Sequence, residues 1–221
     1  MSGIDPAAKS ALVLEALSLR VAGRLVVDGL SLSVAGGEVA TLMGPSGSGK
    51  SSVLALICGT LDPAFRWSGR ISLNGVVLAG LPPERRRVGI LFQDDLLFPH
   101  LSVGENLAFG LPAHIRGRRA RQERIEAALE EANLAGFAGR DPATLSGGQR
   151  ARVALMRTLL SEPQALLLDE PFAKLDSTLK QKFRAFVFEH TLAQRLPTLL
   201  VTHDAADAKA AGGLVVELGL S

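Results

Sequence analysis

The chain has 221 residues, of which 47% are hydrophobic and 21% charged, so it can bury the core of one globular domain and is too apolar for a disordered segment. A formal net charge of +2 gives no global field that would draw nucleic acid, and basic clusters have to be judged locally. The single cysteine, Cys58, excludes an internal disulfide and suits a reducing compartment.

No apolar run approaches the length of a membrane span, and residues 1–9 lack the basic-then-apolar plan of a signal peptide. Any work at a membrane therefore calls for other chains. From Ala11 to Val34, short apolar segments alternate with serine: Leu12-Val13-Leu14, Leu17 to Val21, Leu25 to Val27 and Leu30 to Val34. That alternation predicts strands with one buried face. Ala35-Gly36-Gly37 then turns into Glu38 to Met43, a buried strand.

Next comes Gly44-Pro45-Ser46-Gly47-Ser48-Gly49-Lys50-Ser51-Ser52, which fits the phosphate-binding pattern G-x-x-x-x-G-K-[ST] between a strand and the helix begun by Val53 to Ile57. Glycines let backbone N–H groups turn inward around an anion, and the helix N-terminus adds positive charge there. Lys50 is expected on the β- and γ-phosphates and the Ser51 hydroxyl on Mg²⁺. Cys58, on the following apolar helix, reads as a small buried residue.

Ile71 to Leu78 reads as two strands joined at Asn74-Gly75, so a small antiparallel sheet is expected beside the main one. Arg85-Arg86-Arg87 reads as a solvated corner. Val88 to Phe92 is a buried strand ending at Gln93. From Leu96 to about Thr144 the pattern turns helical, with an N-cap at Ser102 and a basic start over Arg116 to Arg124. That basic run lacks interleaved aromatics and reads as a solvated helix start, not a nucleic-acid patch. His100 and His114 have no ligating neighbours in the sequence and read as surface residues.

Leu145-Ser146-Gly147-Gly148-Gln149 runs into a helix carrying Val153, Met156 and Leu160. Ala165 to Leu168 is a buried strand ending at Asp169-Glu170, and Asp176 falls in the loop beyond it. A helix with Phe183, Phe186 and Val187 leads to the strand Thr198 to Thr202, which ends at His203; Leu214 to Leu218 closes the pattern.

Buried parallel strands present their C-terminal ends to ligands. The phosphate loop, Gln93, Asp169, Glu170 and His203 all lie at such ends. Asp169 is placed to hold Mg²⁺ directly or through water, and Glu170 to act as the general base on the attacking water. Gln93 could orient water and complete the metal shell, and His203 could sense the γ-phosphate. Ser146-Gly147-Gly148 offers a second nest of N–H donors with a hydroxyl. One γ-phosphate does not need two cradles within one chain, so the second makes sense for a nucleotide held by another subunit.

Taken in order, these segments resemble the ATP-binding subunits of ABC transporters over nearly the whole chain: Walker A at Gly44 to Ser51, the Q-loop at Gln93, the signature at Leu145 to Gln149, Walker B at Ala165 to Glu170, the D-loop at Asp176 and the switch histidine at His203. The resemblance implies an α/β fold, a P-loop NTPase (RecA-like) core with a mainly parallel sheet, a small antiparallel β-subdomain and an inserted helical lobe. It implies one ABC ATPase domain over residues 1–221, with the core at 1–95 and 150–221 and the lobe at about 96–149.

It further implies ATP and Mg²⁺ as cofactors and a head-to-tail dimer. In that dimer Ser146, Gly147, Gly148, Gln149 and Asp176 meet in trans the nucleotide held by the partner's loop. Integral membrane permease subunits are the implied partners, docking around Phe98 to Asn106, with a solute-binding protein acting indirectly and no nucleic acid. The implied location is peripheral, on the cytoplasmic face of the inner membrane. Phe92 to Leu101 looks most like importers of small solutes, such as the molybdate, iron, sulfate and thiamine systems.

Two departures stand out. Members of the family usually place an aromatic near Val21 or Ala22 to stack on adenine, and this chain has no tyrosine at all. Weak discrimination between ATP and GTP is the expectation. The chain also stops near the last strand, so regulation through an extra C-terminal domain is not expected. Competing readings are a soluble ABC-type ATPase of DNA repair or chromosome structure, which would insert long coiled coils, and a P-loop small-molecule kinase, which would not need the Ser146 cradle. A non-catalytic nucleotide-binding scaffold is disfavoured by the intact Lys50, Asp169, Glu170 and His203.

Overall fold

The computed structural model describes residues 11–219. By contact they form two compact units. One holds everything described up to Ile90, then Gln164–Glu170 and everything described from Phe188 onward; the other holds Leu91–Pro163 and Pro171–Val187.

In the first unit, β1 (Ala11–Val21), β2 (Arg24–Ala35), β4 (Phe65–Leu73) and β5 (Val76–Val77) make an antiparallel sheet in the order β2-β1-β4-β5. β1 and β2 are joined by Ala22-Gly23 and β4 and β5 by Asn74-Gly75, each pair with both φ positive. Two-residue turns of that hand match the twist of the flanking strands. The serine alternation in β2 holds: Leu30, Leu32 and Val34 are buried while Ser31 and Ser33 face out.

The two apolar segments expected over residues 12–21 are one strand. A bulge at Ala16 (φ 47°) shifts the pairing parity, so that Leu12 and Leu14 before it, and Leu17 and Leu19 after it, all reach the same core. Gly69 on β4 lies beside that bulge, where a β-carbon would stand 2.6 Å from the carbonyls of Glu15 and Ala16.

A second sheet, with β6 (Val88–Leu91), runs β6-β7-β8-β3-β9. Its members β3 (Val39–Met43), β7 (Ala165–Asp169), β8 (Thr198–Val201) and β9 (Val215–Glu217) pair in parallel, and Leu166, Leu167, Leu199 and Leu200 are fully buried. Strands buried on both faces read as continuous apolar runs, as these do. α1 (Lys50–Cys58) follows β3 and ends on Gly59 in the left-handed region.

Arg86 corrects one expectation. It is 9% exposed, and its guanidinium donates to the carbonyls of Leu56, Ile57 and Leu81, capping the last turn of α1. Beside it the half-buried Cys58 thiol is pushed up to about 11, by burial and against the pull of Arg86. It stays protonated and unreactive at neutral pH.

The second unit is helical: α2 (Val103–Gly110), α3 (Arg118–Glu131), α4 (Gly147–Leu160) and the first part of α5 (Ser177–Ala193). Ser102 caps α2 through a reciprocal box with Glu105. The basic start of α3 is solvated, as its composition suggests, with Arg121 folded back onto the carbonyls of Ala108 and Ile115. α6 (Ala205–Ala211), capped by Asp204, went unanticipated because Ala205 to Ala211 carries no apolar periodicity. Among the described residues no helix is long and apolar enough to cross a membrane.

Candidate active site

Between β3 and α1 the chain closes a tight loop in which Gly44, Gly47 and Gly49 have φ of 149°, 83° and 90°. Two of these glycines are also sterically required. A β-carbon on Gly44 would strike the Leu218 carbonyl, and one on Gly49 would sit 2.7 Å from a Val26 methyl and 2.8 Å from one of Val27.

Lys50, only 6% exposed, folds over the loop and donates from Nζ to the carbonyls of Gly44 and Pro45 at 2.8 Å each. Its ammonium is thus held at the mouth of the cradle. Ser48 is buried there, its hydroxyl without a hydrogen-bond partner among the described residues. An unsatisfied buried hydroxyl is costly and is a group a bound anion could satisfy.

Asp169 and Glu170 come from the end of β7. The Ser51 hydroxyl donates to Asp169 Oδ1 at 3.2 Å, bringing together two hard oxygens 118 positions apart. Burial pushes the Asp169 carboxyl up and the Glu170 charge adds to this, while the Ser51 hydrogen bond and Lys50 oppose it. A divalent cation would relieve that penalty. Mg²⁺ favours few protein ligands, keeping waters and phosphate oxygens for the rest, so a hydroxyl and one carboxylate fit it.

Glu170 has a left-handed backbone (φ 48°) and donates its N–H to the Val201 carbonyl at 3.0 Å. Its Oε2 lies 3.1 Å from Nδ1 of His203, at the end of the neighbouring β8. The backbone turn and the imidazole together aim the carboxylate.

A cavity of about 440 Å³ opens beside Lys50, Ser51 and Glu170. Ser46, Gly47, Gly49 to Ser52 and Glu170 line it together with Val21, Arg24, Leu25, Val26 and Phe65. Its size falls within the range of small-molecule sites. In the first unit, then, Lys50, Ser51, Asp169, Glu170 and His203 converge.

Gln93, Ser146 to Gln149 and Asp176 belong to the second unit. Gln93 is exposed, two residues beyond β6. Ser146 is the N-cap of α4 in a capping box: its hydroxyl accepts from Gln149 N at 3.4 Å and its N–H donates to Gln149 Oε1 at 2.9 Å. A β-carbon on Gly148 would press on the Leu179 side chain. Arg150 anchors the turn through the Leu145 carbonyl at 2.8 Å and Asp95 Oδ2 at 3.1 Å. Asp176 Oδ1 accepts from the N–H groups of Thr178 and Leu179, opening α5.

Sequence reasoning missed Phe65 and Arg150. The signal for Arg150 was its place directly after the serine-glycine turn. Phe65 carried none, because only the strand pairing brings it to the cavity.

A strand, a glycine loop with its lysine, and a strand-end Asp-Glu pair beside the serine define a P-loop ATPase. The ABC transporter domain family matches residues 27–173. The chain is 46% identical over 199 residues to the uncharacterized ABC transporter ATP-binding protein YnjD of Escherichia coli (strain K12), covering 90% of this chain and 91% of that one. It is 43% identical over 172 residues to the thiamine import ATP-binding protein ThiQ of Shigella flexneri serotype 5b, covering 78% and 73%. With the sulfate/thiosulfate import ATP-binding protein CysA of Mycobacterium tuberculosis it shares 42% identity over 172 residues, 78% of this chain and 48% of that one. The chain belongs to the ABC transporter family, as an ATP-binding and ATP-hydrolysing subunit.

Proposed function

We propose that this ATPase drives the import of a small solute through separate membrane subunits. Import and the solute class are carried by likeness to the thiamine and sulfate/thiosulfate import proteins. The observation that carries the catalytic reading is the cavity that Lys50, Ser51 and Glu170 line together.

In this reading residues Gly44 to Ser52 cradle the triphosphate through backbone N–H groups, and Lys50 turns its ammonium from the two carbonyls to the β- and γ-phosphates. Ser51 and Asp169 would hold Mg²⁺. The metal, when bound, neutralises charge on the phosphate oxygens. Glu170 takes the proton from the water that attacks the γ-phosphorus; ADP departs and phosphate is released. His203 holds the Glu170 carboxylate in line.

Ser146, Gly147, Gly148, Gln149 and Asp176 serve the nucleotide of a second copy, head to tail, and hydrolysis opens that sandwich. The permease subunits dock on the second unit, where Phe92, Leu96 and Phe109 are 43%, 56% and 70% exposed. Phe109 packs on Phe98 with ring centroids 4.8 Å apart, and the buried Asn106 ties down that loop through Phe98, Leu101 and Ser102. Exposed apolar side chains beside a firmly held loop suit a protein partner. A solute-binding protein on the far side and a seat at the cytoplasmic face follow from the same reading.

The test is purification from native membranes. Integral membrane chains that accompany the protein, and raise its phosphate release when the solute is supplied, support the proposal. A protein that transfers the γ-phosphate to a small acceptor instead of releasing it is a kinase, and the proposal fails.

A further inference from the structure

We propose that Phe65 is the surface on which the nucleotide base stacks, replacing from β4 the aromatic that β1 lacks. The inference rests on the nucleotide reading of the cavity and names the part of it that the phosphate loop cannot supply.

Among the described residues lining the cavity, Phe65 is the one aromatic. It shares that lining with the phosphate loop and with Val21, Arg24, Leu25 and Val26. A triphosphate seated on residues Ser46 to Ser52 leaves its base to find a surface among the remaining lining residues, and Phe65 offers the flat apolar one.

Strand pairing explains how the ring arrives there. Phe65 is directly opposite Val21 in the β1/β4 ladder, and Val21 is opposite Arg24 in the β1/β2 ladder. Directly opposite residues on an antiparallel pair project from the same face, within about 5 Å at the β-carbons. A ring lost from the Val21 position can thus be supplied across one strand spacing without moving the base.

The backbone that carries the ring is also held in place. The Phe65 N–H donates to the Asp62 carbonyl at 3.0 Å and the Ala64 N–H to Asp62 Oδ1 at 2.8 Å, which fixes the turn that enters β4. Phe65 is half-buried, so part of the ring faces the cavity. Trp67, two positions on and 38% exposed, is not among the lining residues and does not compete for the role.

A phenyl face has no hydrogen-bonding edge. It adds affinity for any base and separates none, in the way aromatic platforms bind single strands without sequence preference. Weak ATP/GTP discrimination is thus compatible with tight binding.

The test compares ATP, GTP and inorganic tripolyphosphate by calorimetry on the full chain. Phe65→Ala should weaken ATP and GTP by similar factors, roughly 5- to 150-fold for one stack, and leave tripolyphosphate within a factor of about two. Phe65→Leu, which keeps apolar bulk, should also lose nucleotide affinity, and Phe65→Trp should retain it and show fluorescence quenching by ATP but not by tripolyphosphate. Unchanged ATP affinity in Phe65→Ala overturns the proposal, as does an equal loss for tripolyphosphate, which would mark a structural role. Lys50→Ala reports on the parent reading separately: there tripolyphosphate and both nucleotides should weaken together.

Discussion

Glu170 Oε2 and His203 Nδ1 stand 3.1 Å apart because β7 and β8 pair in register, Asp169 opposite Val201, so the residues just past each strand end become neighbours. A carboxylate aimed by an imidazole can take a proton while its position stays fixed. Glu170→Gln keeps the shape and removes the basicity. Phosphate release should fall by about 10²- to 10⁴-fold, with ATP affinity retained, because in the proposed site Lys50 and the loop make the phosphate contacts. His203→Ala keeps the base but frees it, and should lower turnover by up to about 10²-fold. Phosphate-release assays with parallel ATP titrations check both. A Glu170→Gln protein hydrolysing at the unmodified rate would remove Glu170 from the chemistry.

The same strand end predicts a pH effect on stability. Asp169 titrates above its ordinary value through burial, with Glu170 adding to it. A carboxyl raised on folding favours the folded state when protonated, below about pH 4. That contribution is lost as pH rises through the raised value. Asp169→Asn cannot ionise, so its melting temperature without nucleotide should exceed that of the unmodified chain at neutral pH. The gap should close as the pH falls below about 4. With Mg²⁺ and ATP the order should reverse, since the proposed metal site would lose its carboxylate. Melting curves at acidic and neutral pH, with and without Mg·ATP, test this; an Asn variant less stable at neutral pH without nucleotide would contradict it.

What the sequence disclosed here depends on range. Lys50 and Ser51 were legible because the phosphate loop is contiguous and its glycines are forced by φ and close approach. The parallel strands were legible because burial on both faces leaves unbroken apolar runs. The bulge at Ala16 was not, since parity read locally splits one strand into two. Arg86 escaped for a related reason. Three successive arginines look alike in sequence, and only the fold shows that the middle one meets the end of α1. Phe65 reaches the cavity through a pairing to Val21, 44 positions away, which no local pattern announces.

Arg86 carries its own prediction. Its fork joins the α1 end to the Leu81 carbonyl, and a guanidinium is placed where the helix dipole favours positive charge. Arg86→Ala leaves the Leu56 and Ile57 carbonyls without this donor and should cost about 2–3 kcal/mol, or roughly 5–10 °C in melting temperature. Arg86→Lys should recover only part, because one ammonium cannot reproduce the fork. Thermal denaturation of the three proteins decides it; an Ala variant as stable as the parent would show that water replaces the guanidinium.

Ser146 has two jobs to separate. In the isolated chain its hydroxyl caps α4, accepting from Gln149 N. In the proposed dimer the same turn receives the partner's triphosphate. Ser146→Ala would confuse the two, since losing the cap alone costs about 1 kcal/mol. Ser146→Asp keeps an equally good cap while setting a carboxylate against the incoming phosphates. The Asp variant should therefore melt near the parent temperature and bind ATP in its own Lys50 cradle with unchanged affinity. It should nonetheless fail to dimerise with ATP in a Glu170→Gln background, read by sedimentation or light scattering. Were ATP still to drive dimerisation of this double variant, the turn at Ser146 would not be a phosphate cradle, and its serine-glycine pattern would reflect only the needs of the α4 cap and the close approach of Leu179 to Gly148.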